Sequence, residues 1–579
     1  MPRQLVLTAL EETWPAVDTS VVFLGEWCKL YSRTEIWSKY NSQTLPYHWD
    51  DREKLYNDYL YVRNLYEIVI KDLAVKLNEI HGVGHSDRYW RILVGPWLGY
   101  FIQMVYDRYL SIKNAIGNQD IECRFINYQS DLLVPNDMTH FTKLFVSDDW
   151  NQYIYQSILS FIGIVPQGLV SFDVARKNFL EPEKSKESLV NKILNWQSQI
   201  FVAEEEAFIQ STYLPTFKNI LFQVSLYQIP RIRLSRLIPA IHFHQSLRNF
   251  KLEDNSKNEF IRILYDLIPK NLPKVILEGY HNLKQVTESY KWPKNPKFIF
   301  TSNSHNADDL FKFYVAEKVE MNTKFFLGQH GGHYGVGKWS FLEDHETETC
   351  DRYISWGWQE SKNPKVKEFA SLKLIGSKEH QIVKEGNLLL VSMSMPRYSY
   401  WMYSAPVGKQ WLSYFNDQVR FVSELNEKIQ SEEVVVRLSS SDYGWDQNKR
   451  WRKRFPKIQL DSGEKRIEKL VQNCRLYVST YNATTFLESM GNNTPTIIFW
   501  NPKHWEIRDS AIPFFEKLKR VGIFHETPEG AAQMVNKVWN HIPEWWYSKE
   551  TQEARDEFCQ QYAKKIKKPL SVLKELVNI

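Results

Sequence analysis

The chain has 579 residues, 43% of them apolar and 24% charged, which is too long for one core and suits two or three globular domains. Its net charge of +5 is a mild excess over that length; it excludes the dense basic surface of a nucleic-acid binder and suits anionic ligands or a loose contact with anionic lipid. Five scattered cysteines without a CxxC pair argue against a disulfide framework or a zinc site.

In chain order, strands are predicted at Gln4–Leu10 and Ser20–Leu24. Apolar residues at three- and four-residue spacing predict helices over Asp50–Leu77 and Asp87–Ile112. A buried strand follows at Ile121–Tyr128, then helices over Thr139–Phe161 and Ser188–Ser211. The stretch from about 165 to 290 otherwise resists parsing. From 297 the pattern is regular, with strand Lys297–Thr301, helix Asp308–Val319 and strand Lys324–Leu327. This strand–helix–strand unit is what a parallel sheet requires. A second alternation places strands at Arg352–Trp356, Leu388–Ser392, Val434–Leu438, Arg475–Ser479 and Thr496–Phe499. Helices are predicted at Gly408–Ile429, Lys465–Gln472, Thr485–Met490 and Glu529–Trp539, and the last 30 residues read as one terminal helix. Strands separated by helices predict doubly wound α/β domains, whose ligands bind at strand C-terminal ends. The expected division is an N-terminal α/β domain with helical insertions over 1–345, a Rossmann-like domain over 346–545 and a C-terminal helix over 546–579. No secretory leader and no run of about 18 apolar residues is seen, so a cytoplasmic protein is expected, touching at most the inner face of a membrane. Aromatic residues make up 15% of the chain; most should be core, and some can stack on sugar rings.

The sharpest local feature is Gln329-His330-Gly331-Gly332, in a stretch with five glycines between Gly328 and Gly337. Glycines let backbone approach a ligand and offer N–H groups to anions. His330 is the candidate for acid–base work or for holding an anion, with Gln329, Gly331 and Gly332 as donor contacts. The following Glu343-Asp344-His345-Glu346-Thr347-Glu348 reads either as a source of a general base, with Glu343 in the catalytic set, or as a solvated acidic turn.

At Ser479–Glu488 a strand ends, a small polar loop follows and a helix begins, which suits a phosphate. Asn482, Thr484 and Thr485 would contact the donor, and Glu488 its ribose hydroxyls. Thr485 and Glu488 also have capping-box spacing, which needs no ligand. Arg437 at a strand end either neutralises donor phosphate or is a surface Arg, and Ser392 presents a hydroxyl. Asp308 and Asp309 read as a helix cap or as catalytic carboxylates. His48, Asp51 and Arg52 at a helix start are candidates for an acceptor site. No DxD pair of the metal-dependent kind, Walker loop, GxSxG or GxGxxG accompanies them, and no metal or cofactor is expected.

Several motifs in combination carry a family resemblance. Leu24-Gly25-Glu26-Trp27-Cys28, Pro46–Arg52, Tyr89–Trp97, Gly328–Gly335, Tyr353–Trp358, Asn482–Glu488 and Phe499–Arg508 resemble the O-antigen transferase family of bacterial surface-polysaccharide clusters, from residue 24 to about 510. The resemblance implies a transferase serving O-antigen (lipopolysaccharide) or capsule assembly, with a second half similar to the donor domain of GT-B enzymes. Two Rossmann-like domains facing a cleft fit that GT-B arrangement, and a metal-independent glycosyltransferase is expected. It implies a nucleotide-sugar donor and a glycan or lipid-linked glycan acceptor. In outline the chain also looks like transferases that use CMP-activated ulosonic acids such as Kdo, which would make Asp308 or Asp309 a nucleophile in a retaining reaction. Alternatives are a CDP-glycerol or CDP-ribitol polyol-phosphate transferase, and a non-catalytic glycan-binding assembly subunit.

Overall fold

The computed structural model describes residues 3–117, 121–129, 131–183, 188–253 and 256–577. They form two compact units. Unit 1 comprises Met1–Gln210, Ile232–Phe325 and Pro396–Met402; unit 2 comprises Ser211–Arg231, Phe326–Met395 and Tyr403–Ile579. The division differs from the boundary expected at 345/346, and strand pairing explains why. The strand that carries the His330 loop is registered against a strand beyond that point, Phe326 opposite Arg352 and Gly328 opposite Ile354.

In unit 1, β1 (Arg3–Val6), β2 (Val21–Phe23), β3 (Ser42–Thr44) and β4 (Ile121–Glu122) form a parallel sheet in the order β3-β2-β1-β4. Two 30-residue helices, α1 (Arg52–His81) and α2 (Asp87–Ile116), separate β3 from β4. The Asp51 side chain caps α1 by accepting from the Lys54 amide, and Gly82 ends it in the left-handed region at φ +64°. Ser86 caps α2. Helix α2 is apolar nearly all round, as a helix enclosed by others must be; Trp90 and Trp97 on it are fully buried. Beyond it, β5 (Arg124–Asn127) pairs with β6 (Gly168–Ser171). The single helix expected over Thr139–Phe161 is two, Met138–Leu144 and α3 (Asp148–Phe161), because Ser147 caps the second. The helix expected over Ser188–Ser211 runs only from Leu189 to Gln197, and Phe208–Ile209 is instead strand β7, parallel to β8 (Phe298–Thr301). Helix α4 (Asp309–Glu320) follows.

Unit 2 resumes within β9 (Lys324–Gly328), at Phe326, and carries helix α5 (Phe341–Thr349), β10 (Arg352–Ile354) and β11 (Val366–Lys367), with β10 parallel to both β9 and β11. Its main sheet has six parallel strands: β12 (Asn387–Val391), β13 (Val434–Arg437), β14 (Gln459–Asp461), β15 (Cys474–Ser479), β16 (Thr496–Phe499) and β17 (Phe524–His525). Helices α6 (Gln410–Ser423) and α7 (Thr484–Gly491) lie between its strands. The strand order is β14-β13-β12-β15-β16-β17, which is the Rossmann order. Runs such as Leu388-Leu389-Leu390 and Leu476-Tyr477-Val478 are buried on both faces, as a helix-covered parallel sheet demands. The order reverses between β12 and β15, so this unit's topological switch point lies outside Val391 and Ser479. The last 30 residues are not one helix: Lys549–Tyr562 and Pro569–Val577 are separate, and Pro569 opens the second. No helix among the described residues is long and apolar enough to cross a membrane.

Candidate functional site

The glycine-rich loop leaves β9 through Gln329, a side chain 1% exposed. Its Oε1 accepts from the Trp356 amide (2.9 Å) and the Trp358 indole (2.8 Å), and its Nε2 donates to the Gly331 carbonyl (2.7 Å). Gln329 thus shapes the loop, and its amide is not turned to a ligand as a donor contact would require. Gly335 sits at φ +74°, and a Cβ there would strike the Trp358 ring at 2.5 Å. His333 is a structural histidine: burial pushes its pKa down to about 4, and Nε2 meets the Ser404 hydroxyl at 3.2 Å.

His330 is different. Its Nδ1 lies 3.3 Å from Glu346 Oε1, and its Nε2 lies 3.3 Å from the Tyr334 hydroxyl, which donates to the same Glu346 oxygen at 3.2 Å. Glu346 is fully buried, while the imidazole keeps 17% of its surface in solvent. An imidazole held by a buried carboxylate and a phenol has a set orientation, as acid–base work requires. The acidic stretch is therefore no solvated turn. It is α5, started by the Ser340 side chain, and it buries Glu343 and Glu346 one turn apart. Glu343, expected in the catalytic set, instead accepts from the Gly335 amide (3.0 Å) and the Arg508 guanidinium (2.7 Å). Burial pushes its pKa up. It braces the loop, and Glu346 is the carboxylate beside His330.

The same loop reaches the start of α7. Gly332 donates its N–H to Thr484 Oγ1 (3.1 Å), and a Cβ at Gly332 would lie 2.4 Å from the Ala483 carbonyl oxygen. Only glycine permits that approach. Helix α7 begins after Ala483, and no side chain caps it. The capping box read at Thr485 and Glu488 does not form. Thr485 Oγ1 accepts from the Tyr477 hydroxyl (2.8 Å) and shares a bond with the Tyr481 hydroxyl (3.0 Å), and Glu488 pairs with Lys373 (3.1 Å). Just before the helix, Asn482 is 1% exposed, and neither polar atom of its side chain has a hydrogen-bond partner among the described residues. Burying an amide so costs about 1–3 kcal/mol, which a polar ligand would offset. Free N–H groups and the positive helix end favour an anion. The switch point is tied beside them: the Thr480 hydroxyl donates to the Val391 carbonyl (2.9 Å), and the Tyr414 hydroxyl accepts from the Met393 amide (2.9 Å).

The remaining expected residues do not gather here. The Ser392 amide and hydroxyl both donate to the Arg437 carbonyl (3.0 and 2.9 Å). Arg437 is ion-paired with Asp461 and donates to the Gly463 carbonyl (3.1 Å), which ties β13 to β14 and engages the charge that a donor phosphate would need. Asp308 and Asp309 belong to unit 1. Asp308 caps α4 by accepting from the Phe311 amide (3.0 Å), and it also accepts from Gln210 (2.9 Å); burial raises its pKa to about 6. Asp309 pairs with Lys312 (2.7 Å) and accepts from the Met138 amide (2.7 Å). Their hydrogen bonds are those of a cap and a buried ion pair, not of an exposed nucleophile. His48 lies 3.3 Å from the buried Asp107 carboxylate, Asp51 caps α1, and Arg52 is its first residue. These three build a helix start in unit 1. Glu346 lies in the acidic stretch that reads as a source of a general base, although Glu343 is the member expected in the catalytic set; Tyr334 and Lys373 carry no role in that reading. A helical reading of Phe341–Thr349 puts Glu346 on one face with Glu343, three residues apart; nothing in the sequence brings Lys373 to Glu488.

Among solved structures, the chain is similar to MurG of Acinetobacter baumannii, at 10% identity and TM-score 0.31, over 67% of this chain and 94% of that one. It is similar to S. aureus MnaA in complex with UDP, at 9% and 0.34, over 62% and 94%. It is also similar to the spinosyn rhamnosyltransferase SpnG with spinosyn aglycone, at 9% and 0.29, over 52% and 77%. No curated protein matches it in sequence. Residues 3–577 match the family model of the LIC12162 family transferases, and the chain belongs to that family.

Proposed function

We propose that this transferase moves a sugar from a nucleotide-activated donor to a glycan acceptor. One observation carries the reading. Within unit 2, the oriented imidazole of His330 and the uncapped start of α7 belong to structures that touch through Gly332 and Thr484. A phosphate fits the helix start, where the free N–H groups, the helix dipole and the Asn482 amide favour negative charge. As the bond between the sugar carbon and the phosphate oxygen breaks, its electron pair stays on the nucleotide, and the helix end stabilises it there. His330 takes the proton from the acceptor hydroxyl that forms the new bond, and Glu346 stabilises the resulting imidazolium. In this reading Glu488, paired with Lys373, accepts hydrogen bonds from ribose. The likeness of the chain's motifs to surface-polysaccharide transferases supports an acceptor in O-antigen or capsule assembly. Such an acceptor, when lipid-linked, would bring the protein to the inner face of the membrane.

The test is nucleotide release from CMP-, UDP-, GDP- and CDP-linked donors, with analysis of the product. Release accompanied by a new glycosidic bond is expected. A phosphodiester product would assign the chain to polyol-phosphate transfer, and no release from any donor would leave it without transferase chemistry of this kind.

A further inference from the structure

Segment Ser211–Arg231 belongs to unit 2, and it brings Tyr213 to the site. The half-buried Tyr213 lies with its ring 5.0 Å from the Lys373 ammonium, which is itself 3.1 Å from Glu488. Its phenol stands in the field of the Glu346 and Glu488 carboxylates; burial and those two charges raise its pKa, so it stays a hydrogen-bond donor. The backbone is held for this placement: Ser211 at φ +50° and Tyr213 at φ +61° are non-glycine residues in the left-handed region. That conformation is a true outlier for a bulky side chain and persists only where the surrounding structure holds it.

The charges around Tyr213 decide what it can meet. The Lys373 ammonium at its ring is held by Glu488 (3.1 Å). That cation is already paired, and Glu346 adds a further carboxylate whose charge acts on the phenol. A carboxylate on the transferred sugar would enter like charge beside Tyr213, whereas neutral hydroxyls meet a phenol donor and carboxylate acceptors.

We infer that the sugar transferred by this chain is neutral and that the Tyr213 phenol donates a hydrogen bond to one of its hydroxyls. This rests on the sugar-transfer reading above and narrows it away from ulosonic-acid donors. The experiment compares donors that differ in charge: UDP-glucose against UDP-glucuronic acid, GDP-mannose against GDP-mannuronic acid, and CMP-Kdo. Nucleotide release should favour the neutral member of each pair, and CMP-Kdo should trail the best neutral donor. Tyr213→Phe should lower kcat/KM for the best neutral donor about tenfold, the worth of one hydrogen bond. Its Kd for the free nucleotide should not change, which also shows that the variant is folded. Preference for an acidic donor overturns the inference about charge, and an unchanged kcat/KM in Tyr213→Phe overturns the role of Tyr213. Failure of the wild-type chain to bind or release any nucleotide overturns the sugar-transfer reading itself.

Discussion

Two junctions in this chain are built alike and end differently. In unit 1, β8 leads through a polar turn and a four-residue helix, Ser304–Ala307, into α4; in unit 2, β15 leads through a polar turn into α7. At the first, Asp308 caps the helix and Asp309 closes on Lys312, so the polar atoms face inward to the fold. At the second, the residue in the cap position is Ala483, and Asn482 beside it is buried without a partner among the described residues. A helix start suited to an anion is thus marked by a missing cap, not by the number of polar residues around it. Read as sequence, the two turns look equally promising.

This contrast can be broken or sharpened by substitution. The largest effect is expected from His330→Ala, which should cut nucleotide release by about 10²–10⁴-fold, the worth of a positioned acid–base group. A wild-type rate would remove His330 from the chemistry. Next comes Asp309→Ala, which leaves Lys312 buried without its carboxylate and should cost about 3–5 kcal/mol in urea unfolding. Loss of turnover in a fully folded Asp309→Ala protein would instead make the unit 1 junction chemical and end the contrast. Supplying the missing cap with Ala483→Ser should raise stability by about 1 kcal/mol while weakening nucleotide binding, because the hydroxyl would take N–H groups from the phosphate. Unaltered nucleotide affinity there would show that the ligand does not use the α7 start. The smallest change is one of slope. Burial raises the Asp308 carboxyl from 3.8 to about 6, so the folded chain holds that proton more tightly than the unfolded one. The contribution is complete below pH 3.8 and is lost as pH rises to about 6. Asp308→Asn should flatten that part of the stability–pH curve.

How much of this was legible in the sequence follows from how local each feature is. The strands β12, β13, β15 and β16 read correctly because buried parallel strands are short apolar runs, such as Leu388–Val391 and Thr496–Phe499. Strands β11, β14 and β17, two or three residues long, carry no such run. The Gly-rich loop and the Asn482–Glu488 turn were legible as candidate sites, since glycine density and a strand-to-helix switch are local signals. Which carboxylate serves His330 was not, because the choice of Glu346 over Glu343 depends on Arg508, 165 positions from Glu343. Arg437 looked available until β14, a strand that the sequence hid, brought Asp461 to it. Tyr213 lay in the stretch that resisted parsing, and its backbone conformation is one that residue-type statistics argue against.

The division of the chain also bears on its making. Unit 2 takes Ser211–Arg231 from ahead of most of unit 1's last strand–helix block, and unit 1 waits for Pro396–Met402. That late piece is not incidental: Arg397 pairs with Asp148 (2.7 Å), and the Met402 amide donates to Gln103 (2.7 Å). On a ribosome, which releases the chain from its N-terminus, unit 1 lacks these partners until residue 402 has emerged, and by then the Tyr213 segment has already waited for its own unit. Neither half is a cassette that can be cut out by a single break in the gene. Expressing either alone would require rejoining pieces that nature translates in interleaved order.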